Sequence, residues 1–177
     1  FFTYPTNIPF AQFQATSLTE QNSVAVMSLT VRDGGENGND ADNVGTNLTS
    51  LTLSVTGGGG MIRRIALFDG STKLSEVNSS STVSFTGFTL TVPDNGTKNI
   101  TVRVSYITSV GTNLTDNLQS QFTLSGATAN TAGSGLRFSY STTTSYCNIS
   151  MPYYSYGYAW ITNVSFADMT NTSGMPT

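Results

Sequence analysis

Histidine is absent from this 177-residue chain, cysteine occurs once, and charged residues make up only 10% of it. Each lack closes a route. Without histidine there is no imidazole base and no Ser-His or Cys-His nucleophile pair. Acid–base chemistry would fall to carboxylates or lysines shifted by burial. The ten Asp and Glu residues sit mostly in Gly- and Asn-rich loops. A carboxylate pair for sugar hydrolysis among Asp33, Asp40, Asp69 and Asp94 would lie in turns, with no apolar pocket signalled. The expectation is therefore a protein that is not an enzyme. The lone Cys147 has no partner for an internal disulfide. It is either a small buried apolar residue or a thiol for intermolecular pairing. Only seven residues are basic, and only Arg63 and Arg64 are adjacent. With a net charge of −3 and a pI near 4.6, the composition excludes a nucleic-acid binder, which needs clustered Lys and Arg. No apolar run approaches the roughly 20 residues of a membrane-spanning helix, so no membrane insertion is expected. Without an initiator Met or a signal-peptide pattern, the chain reads as a processed or excised piece.

What remains is Ser, Thr, Asn and Gly around β-branched and aromatic residues, and its period is two. Ala25, Met27, Leu29 and Val31 alternate with Val26, Ser28, Thr30 and Arg32, as in a strand with one buried face. Leu51, Leu53 and Val55 alternate with Thr52, Ser54 and Thr56. Met61 to Phe68 reads as a third strand, closed by a turn at Asp69-Gly70-Ser71-Thr72 and returning over Lys73 to Val77 as a hairpin. Ile100, Val102, Val104 and Tyr106 mark a later inward face, and Leu118, Phe122 and Leu124 another. One segment breaks phase: Val83 and Phe85 have one parity, Phe88, Leu90 and Val92 the other. Either a one-residue bulge near Thr86-Gly87 restores the inward face, or two short strands change sheets there. Turns are signalled at Asp33-Gly34-Gly35, Gly57 to Gly60, Pro93-Asp94-Asn95-Gly96 and Gly111.

Seven or more short strands without helical periodicity predict an all-β fold, an immunoglobulin-like antiparallel β-sandwich. The length suits one domain. Residues 1–16 form an aromatic N-terminal arm or edge strand, interrupted by Pro5 and Pro9. Residues 17–135 form the sandwich core. Residues 136–177, beyond a Gly/Ser/Thr linker, form Tyr-rich C-terminal strands that complete the sandwich or make an interface.

Four constellations are candidates for function. The loop from Asp33 to Asn43 offers oxygen ligands for a structural Ca²⁺ through Asp33, Asp40 and Asp42, although the spacing is not that of an EF-hand. The alternative is a solvated Asx-rich loop. If the strands run up and down, this loop and the Asp69 and Asp94 turns share one end of the sandwich, with Asp116 at the other. Eight Asn-X-Ser/Thr triplets begin at Asn47, Asn78, Asn95, Asn99, Asn113, Asn148, Asn163 and Asn171, against about four or five expected by chance. They are glycosylation candidates where the machinery exists, or simply polar strand positions. Tyr154, Tyr156, Tyr158 and Trp160 share one strand face, which if exposed stacks on glycans or a partner and if buried is core. Finally Phe1, Phe2, Tyr4, Phe10 and Phe13 make the arm apolar. Such a segment either inserts into the sheet of another copy, giving head-to-tail assembly, or packs on its own domain as an edge strand.

The central stretch also resembles a module of large secreted surface proteins of Bacteroidetes, some of them adhesin-like. The resemblance runs over about residues 7–135. It is carried by Asn7-Ile8-Pro9-Phe10-Ala11, Leu29-Thr30-Val31-Arg32-Asp33-Gly34-Gly35, Asp40-Ala41-Asp42 and Leu48-Thr49-Ser50-Leu51-Thr52-Leu53. Ile62-Arg63-Arg64-Ile65-Ala66-Leu67-Phe68-Asp69-Gly70, Asp94-Asn95-Gly96-Thr97, Thr115-Asp116-Asn117 and Gln121-Phe122-Thr123-Leu124 complete it. These motifs are mainly structural. The resemblance implies a module strung in long chains and exported to the cell surface by type IX secretion. The expectation is thus a non-enzymatic extracellular structural or adhesive protein, a subunit of a cell-surface filament joined by terminal strand exchange. The rival expectation is a carbohydrate-binding module that uses the Tyr/Trp-rich face on surface glycans.

Overall fold

A computed structural model of the chain describes residues 13–34, 43–57, 59–107, 118–129 and 144–149. They form two antiparallel sheets packed face to face, a β-sandwich. Nine strands appear among the described residues: β1 (Val24–Arg32), β2 (Thr46–Gly57), β3 (Ile62–Asp69), β4 (Thr72–Asn78), β5 (Thr82–Phe85), β6 (Leu90–Val92), β7 (Thr97–Tyr106), β8 (Leu118–Ala129) and β9 (Thr144–Ile149). The first sheet, A, has the order β1-β7-β3-β4. The second, B, has the order β5-β2-β8-β9, with β6 also paired to β2. The chain crosses between sheets after β1, β2, β4, β6 and β7.

The core lies where the two inner faces meet. Val26, Ile65, Leu67, Val102 and Val104 of sheet A pack against Leu51, Leu53, Val55, Phe85 and Phe122 of sheet B. The expected inward face of β7 is observed, with Ile100, Val102, Val104 and Tyr106 all fully buried. The β3–β4 hairpin is also as expected. Asp69 pairs with Thr72 across a two-residue loop, and Gly70 takes a φ of 58° at its first position. That is the II′ pattern, whose twist matches its strands.

Simple alternation fails at bulges. In β1 the register slips between Ala25 and Met27, so Val26 is buried and Ala25 is only half-buried. This reverses the faces expected for these two residues, because the extra residue of a bulge inverts the parity of what precedes it. In β2 the register against β8 slips between Leu48 and Ser50. Thr46 and Leu48 therefore face inward on one parity and Leu51, Leu53 and Val55 on the other. The phase break after Phe85 mirrors this slip. Phe85 pairs with Leu51 and Leu90 with Leu48, so β5 and β6 stay on the same edge of sheet B and do not change sheets. Gly87, with a φ of 73°, sits in the break. Neighbouring strands thus change parity at one level, which keeps Leu48, Leu51, Phe85 and Leu90 inside.

Candidate functional site

The outer face of sheet A is covered by the chain's own residues 13–23. β3 explains why. Ile65 and Leu67 enter the main core, while Ala66 and Phe68 point to the other face, where Leu18 closes over them. Leu18, Ala66 and Phe68 are each at most 1% exposed. Burying such apolar surface favours the strap, and polar contacts fix its path. Ser105 Oγ donates to the Ala15 carbonyl at 2.8 Å and Arg63 Nη1 to the Gln14 carbonyl at 3.2 Å. Arg103 donates to Ser23 Oγ at 2.9 Å and to the Ser23 and Glu20 carbonyls. Burial lowers the Arg103 pKa from its ordinary value, against the opposing charge of Glu20.

Glu76 is the centre of this arrangement. Its carboxylate accepts from Arg64 Nε at 2.8 Å, Lys73 Nζ at 2.6 Å and the Leu18 backbone N–H at 3.0 Å. Its side chain is 9% exposed. Burial by itself raises the carboxyl pKa. The hydrogen bonds from Lys73, Leu18 and Arg64, with the Lys73 charge, outweigh burial and hold it below the ordinary glutamate value. Two cations from β3 and β4 thereby fasten a backbone amide of the strap.

The strap bears directly on the expected arm. Residues 13–16 do not form an edge strand. They lie on their own domain, and Phe13 packs half-buried against its core. Phe1, Phe2, Tyr4 and Phe10 lie outside the described residues, as do Tyr154, Tyr156, Tyr158 and Trp160. The signal for the strap was present in the run Ile65-Ala66-Leu67-Phe68. Four consecutive apolar residues on a strand require cover on both faces.

At one end of the sandwich Asp33 is fully buried. Its Oδ1 accepts from Thr46 Oγ1 at 2.5 Å and its Oδ2 from the Asn95 N–H at 2.9 Å. Its own N–H donates to the Gly96 carbonyl at 2.9 Å. Asn95 has a φ of 54° and Gly96 N–H closes on the Pro93 carbonyl, the type II turn signature. Asp33 thus staples the end of β1 to the start of β2 and to the β6–β7 turn. The Asp69 turn lies at this end too, since Ile100 near the start of β7 pairs with Asp69 and Lys98 bridges it at 2.7 Å. Both Asp33 oxygens are engaged by the fold, so its observed role is that staple. Asp40, Asp42 and Asp116 lie outside the described residues. Among those described, no group of three or more His, Cys, Asp or Glu is placed to hold a metal ion.

The two sheets differ in charge. Arg32, Arg63, Arg64, Asp69, Lys73, Glu76, Lys98 and Arg103 all lie on strands of sheet A. The strands of sheet B contain no charged residue. Their outward side chains bond to one another across the strands. Thr91 Oγ1 donates to Asn47 Oδ1 at 2.7 Å, Thr56 Oγ1 to Gln121 Oε1 at 3.3 Å, and Thr52 meets Ser84 at 3.3 Å. Of the glycosylation candidates, Asn78, Asn95 and Asn99 are exposed and Asn47 is half-buried. Asn78 accepts from Arg64 and Asn99 from Thr30. Asn148 is in β9, paired with Gln119, as Cys147 is with Ser120. Asn113, Asn163 and Asn171 lie outside the described residues. No family model, curated protein or solved structure matches the chain.

Proposed function

We propose that this chain is a non-enzymatic structural module of an extracellular surface assembly, joined to copies of itself through its terminal segments. The observation that carries this reading is the use of charge. Sheet A's charged side chains fasten a strap, a hairpin and loops, and sheet B has none. A polar but neutral sheet face, with its hydroxyls and amides paired to each other, suits repeated packing of like modules. The two antiparallel sheets and the repeated crossings between them are in keeping with an immunoglobulin-like sandwich, an architecture common in cell-surface domains.

Electron micrographs and sedimentation of the purified chain across a wide concentration range test this. Fibres or a concentration-dependent ladder of oligomers are expected. A monodisperse monomer at every concentration overturns it.

A further inference from the structure

On the outer face of sheet B, hydroxyl protons are used within the sheet itself. Thr91 Oγ1 donates to Asn47 Oδ1 and Thr56 Oγ1 to Gln121 Oε1. Thr52 and Ser84, directly paired on β2 and β5, share a hydrogen bond. Thr49 Oγ1 donates to the Thr128 carbonyl at 3.1 Å, and Ser125 Oγ to the Thr52 carbonyl at 3.2 Å. Burying a hydroxyl is costly when its partner was water. Where the partner is a neighbouring strand, the bond survives the loss of water, so this face dries at small cost. A threonine satisfied in this way still has its methyl group to pack. Solvent reaches the face, since Thr56, Thr82, Ser84 and Thr91 are exposed and Thr52, Ser54 and Thr123 half-buried.

We propose that the outer face of sheet B packs against the same face of a second copy, about a two-fold axis near Ser54 and Thr123. This contact rests on the assembly reading above and adds a lateral pairing to its terminal joints. Ser54 and Thr123 are directly opposite on β2 and β8, the two middle strands of sheet B. Charge, area and twist all select a second copy as the occupant. The strands of this sheet carry no charge, so two copies meet without repulsion, whereas a charged partner finds no counter-ion on them.

The area is sufficient. The sheet is four strands wide at about 4.8 Å each, and β2 and β8 are each twelve residues long at about 3.4 Å per residue. With the shorter outer strands allowed for, the face measures roughly 20 Å by 35 Å. Two such faces bury about 1,400 Å², within the roughly 1,200–2,000 Å² of a stable interface. Two copies of one sheet also share one twist, and sheets of like twist stack at about −30°. An isologous pair is closed. It joins two modules and stops, while terminal joints extend the row.

Substitutions at Ser54 in the full chain test the pairing by sedimentation. The wild type gives even-numbered species, with the dimer first. Ser54→Lys brings two like charges together near the axis and weakens pairing by about tenfold or more. Ser54→Glu does the same. Mixing the two variants in equal amounts restores the paired species, because opposite charges then meet, and that recovery shows that both are folded. Thr97→Lys, at an exposed position on β7 of sheet A, leaves pairing unchanged. The single-file ladder of the terminal joints persists in Ser54→Lys, so loss of pairing and loss of joining are read separately. Pairing unaffected by Ser54→Lys, an equal loss in Thr97→Lys, or no recovery on mixing overturns the sheet B contact and leaves the terminal joints standing. A wild-type chain that is monomeric at every concentration overturns both.

Discussion

Removing the Glu76 carboxylate should detach the strap from sheet A. Glu76→Ala strips the acceptor from three donors. The Arg64 and Lys73 side chains are 25% and 33% exposed, so water recovers most of their loss and each contributes about 0–1 kcal/mol. The Leu18 amide belongs to a residue that is 1% exposed. An unsatisfied buried donor costs about 1–3 kcal/mol. The sum is about 1–5 kcal/mol, a large share of the roughly 5–15 kcal/mol that holds a domain together. Glu76→Gln keeps an acceptor and should lose about half as much. Urea unfolding at pH 7 gives the totals, and amide exchange at Leu18 locates them. A Glu76→Ala loss below about 0.5 kcal/mol, with unchanged exchange at Leu18, refutes the reasoning. The pH dependence provides a second check. The folded-state pKa of Glu76 lies below the reference value of 4.5, so the unfolded chain binds the proton first. The stabilisation is fully present above about pH 5 and is lost as pH falls through the lowered folded value. The gap between wild type and Glu76→Gln should therefore be constant near neutrality and shrink in acid. A gap that widens in acid contradicts the sign.

Asp33→Ala should destabilise by about 2–4 kcal/mol, since it leaves the Thr46 hydroxyl and Asn95 N–H without their buried acceptor. Asp33→Asn should recover part of that loss, and equal unfolding midpoints for all three proteins would remove the staple from the account. Gly45→Ala places a methyl 2.2 Å from the Val92 carbonyl oxygen and 3.2 Å from Asp94 N, both backbone, so the β6 end must shift at a cost of about 1–3 kcal/mol. Gly60→Ala meets nothing within 4 Å and is the control. A Gly45→Ala chain as stable as Gly60→Ala would mean that β2 and β6 do not approach as described.

The sandwich was legible because alternation is local. β7 needed only Ile100, Val102, Val104 and Tyr106 at every second position, and no neighbour altered that count. β1 and β2 were less legible because a bulge leaves no composition of its own. Val26 is as apolar as Met27, and only the partner strand decides where the bulge falls. The phase break after Phe85 was visible, but its counterpart at Thr49-Ser50 lay in a polar pair that gave no hint of parity. Asp33 was singled out as a carboxylate, yet its partners Thr46 and Asn95 stand 13 and 62 residues away. Charge content alone could not distinguish a ligand from a staple. The strap lay nearest to being readable. The run Ile65 to Phe68 demanded cover on two faces, and Leu18 is the one large apolar residue between Gln14 and Ser23.

The scarcity of charge has a different meaning for each sheet. In sheet A charges are few but concentrated. They hold a segment that cannot pair as a strand, since residues 13–23 run across the strands and need side-chain partners for their backbone groups. Once covered, that face offers little to another molecule, and its edges are bulged and charged. Among the described residues no comparable strap lies on sheet B, and its strands carry no charge to repel a neighbouring copy. The same polypeptide thus uses charge to close one sheet and omits it from the other. That asymmetry is hard to reconcile with general economy of charged residues, which would thin both sheets alike. It follows directly if sheet B is the side on which copies meet.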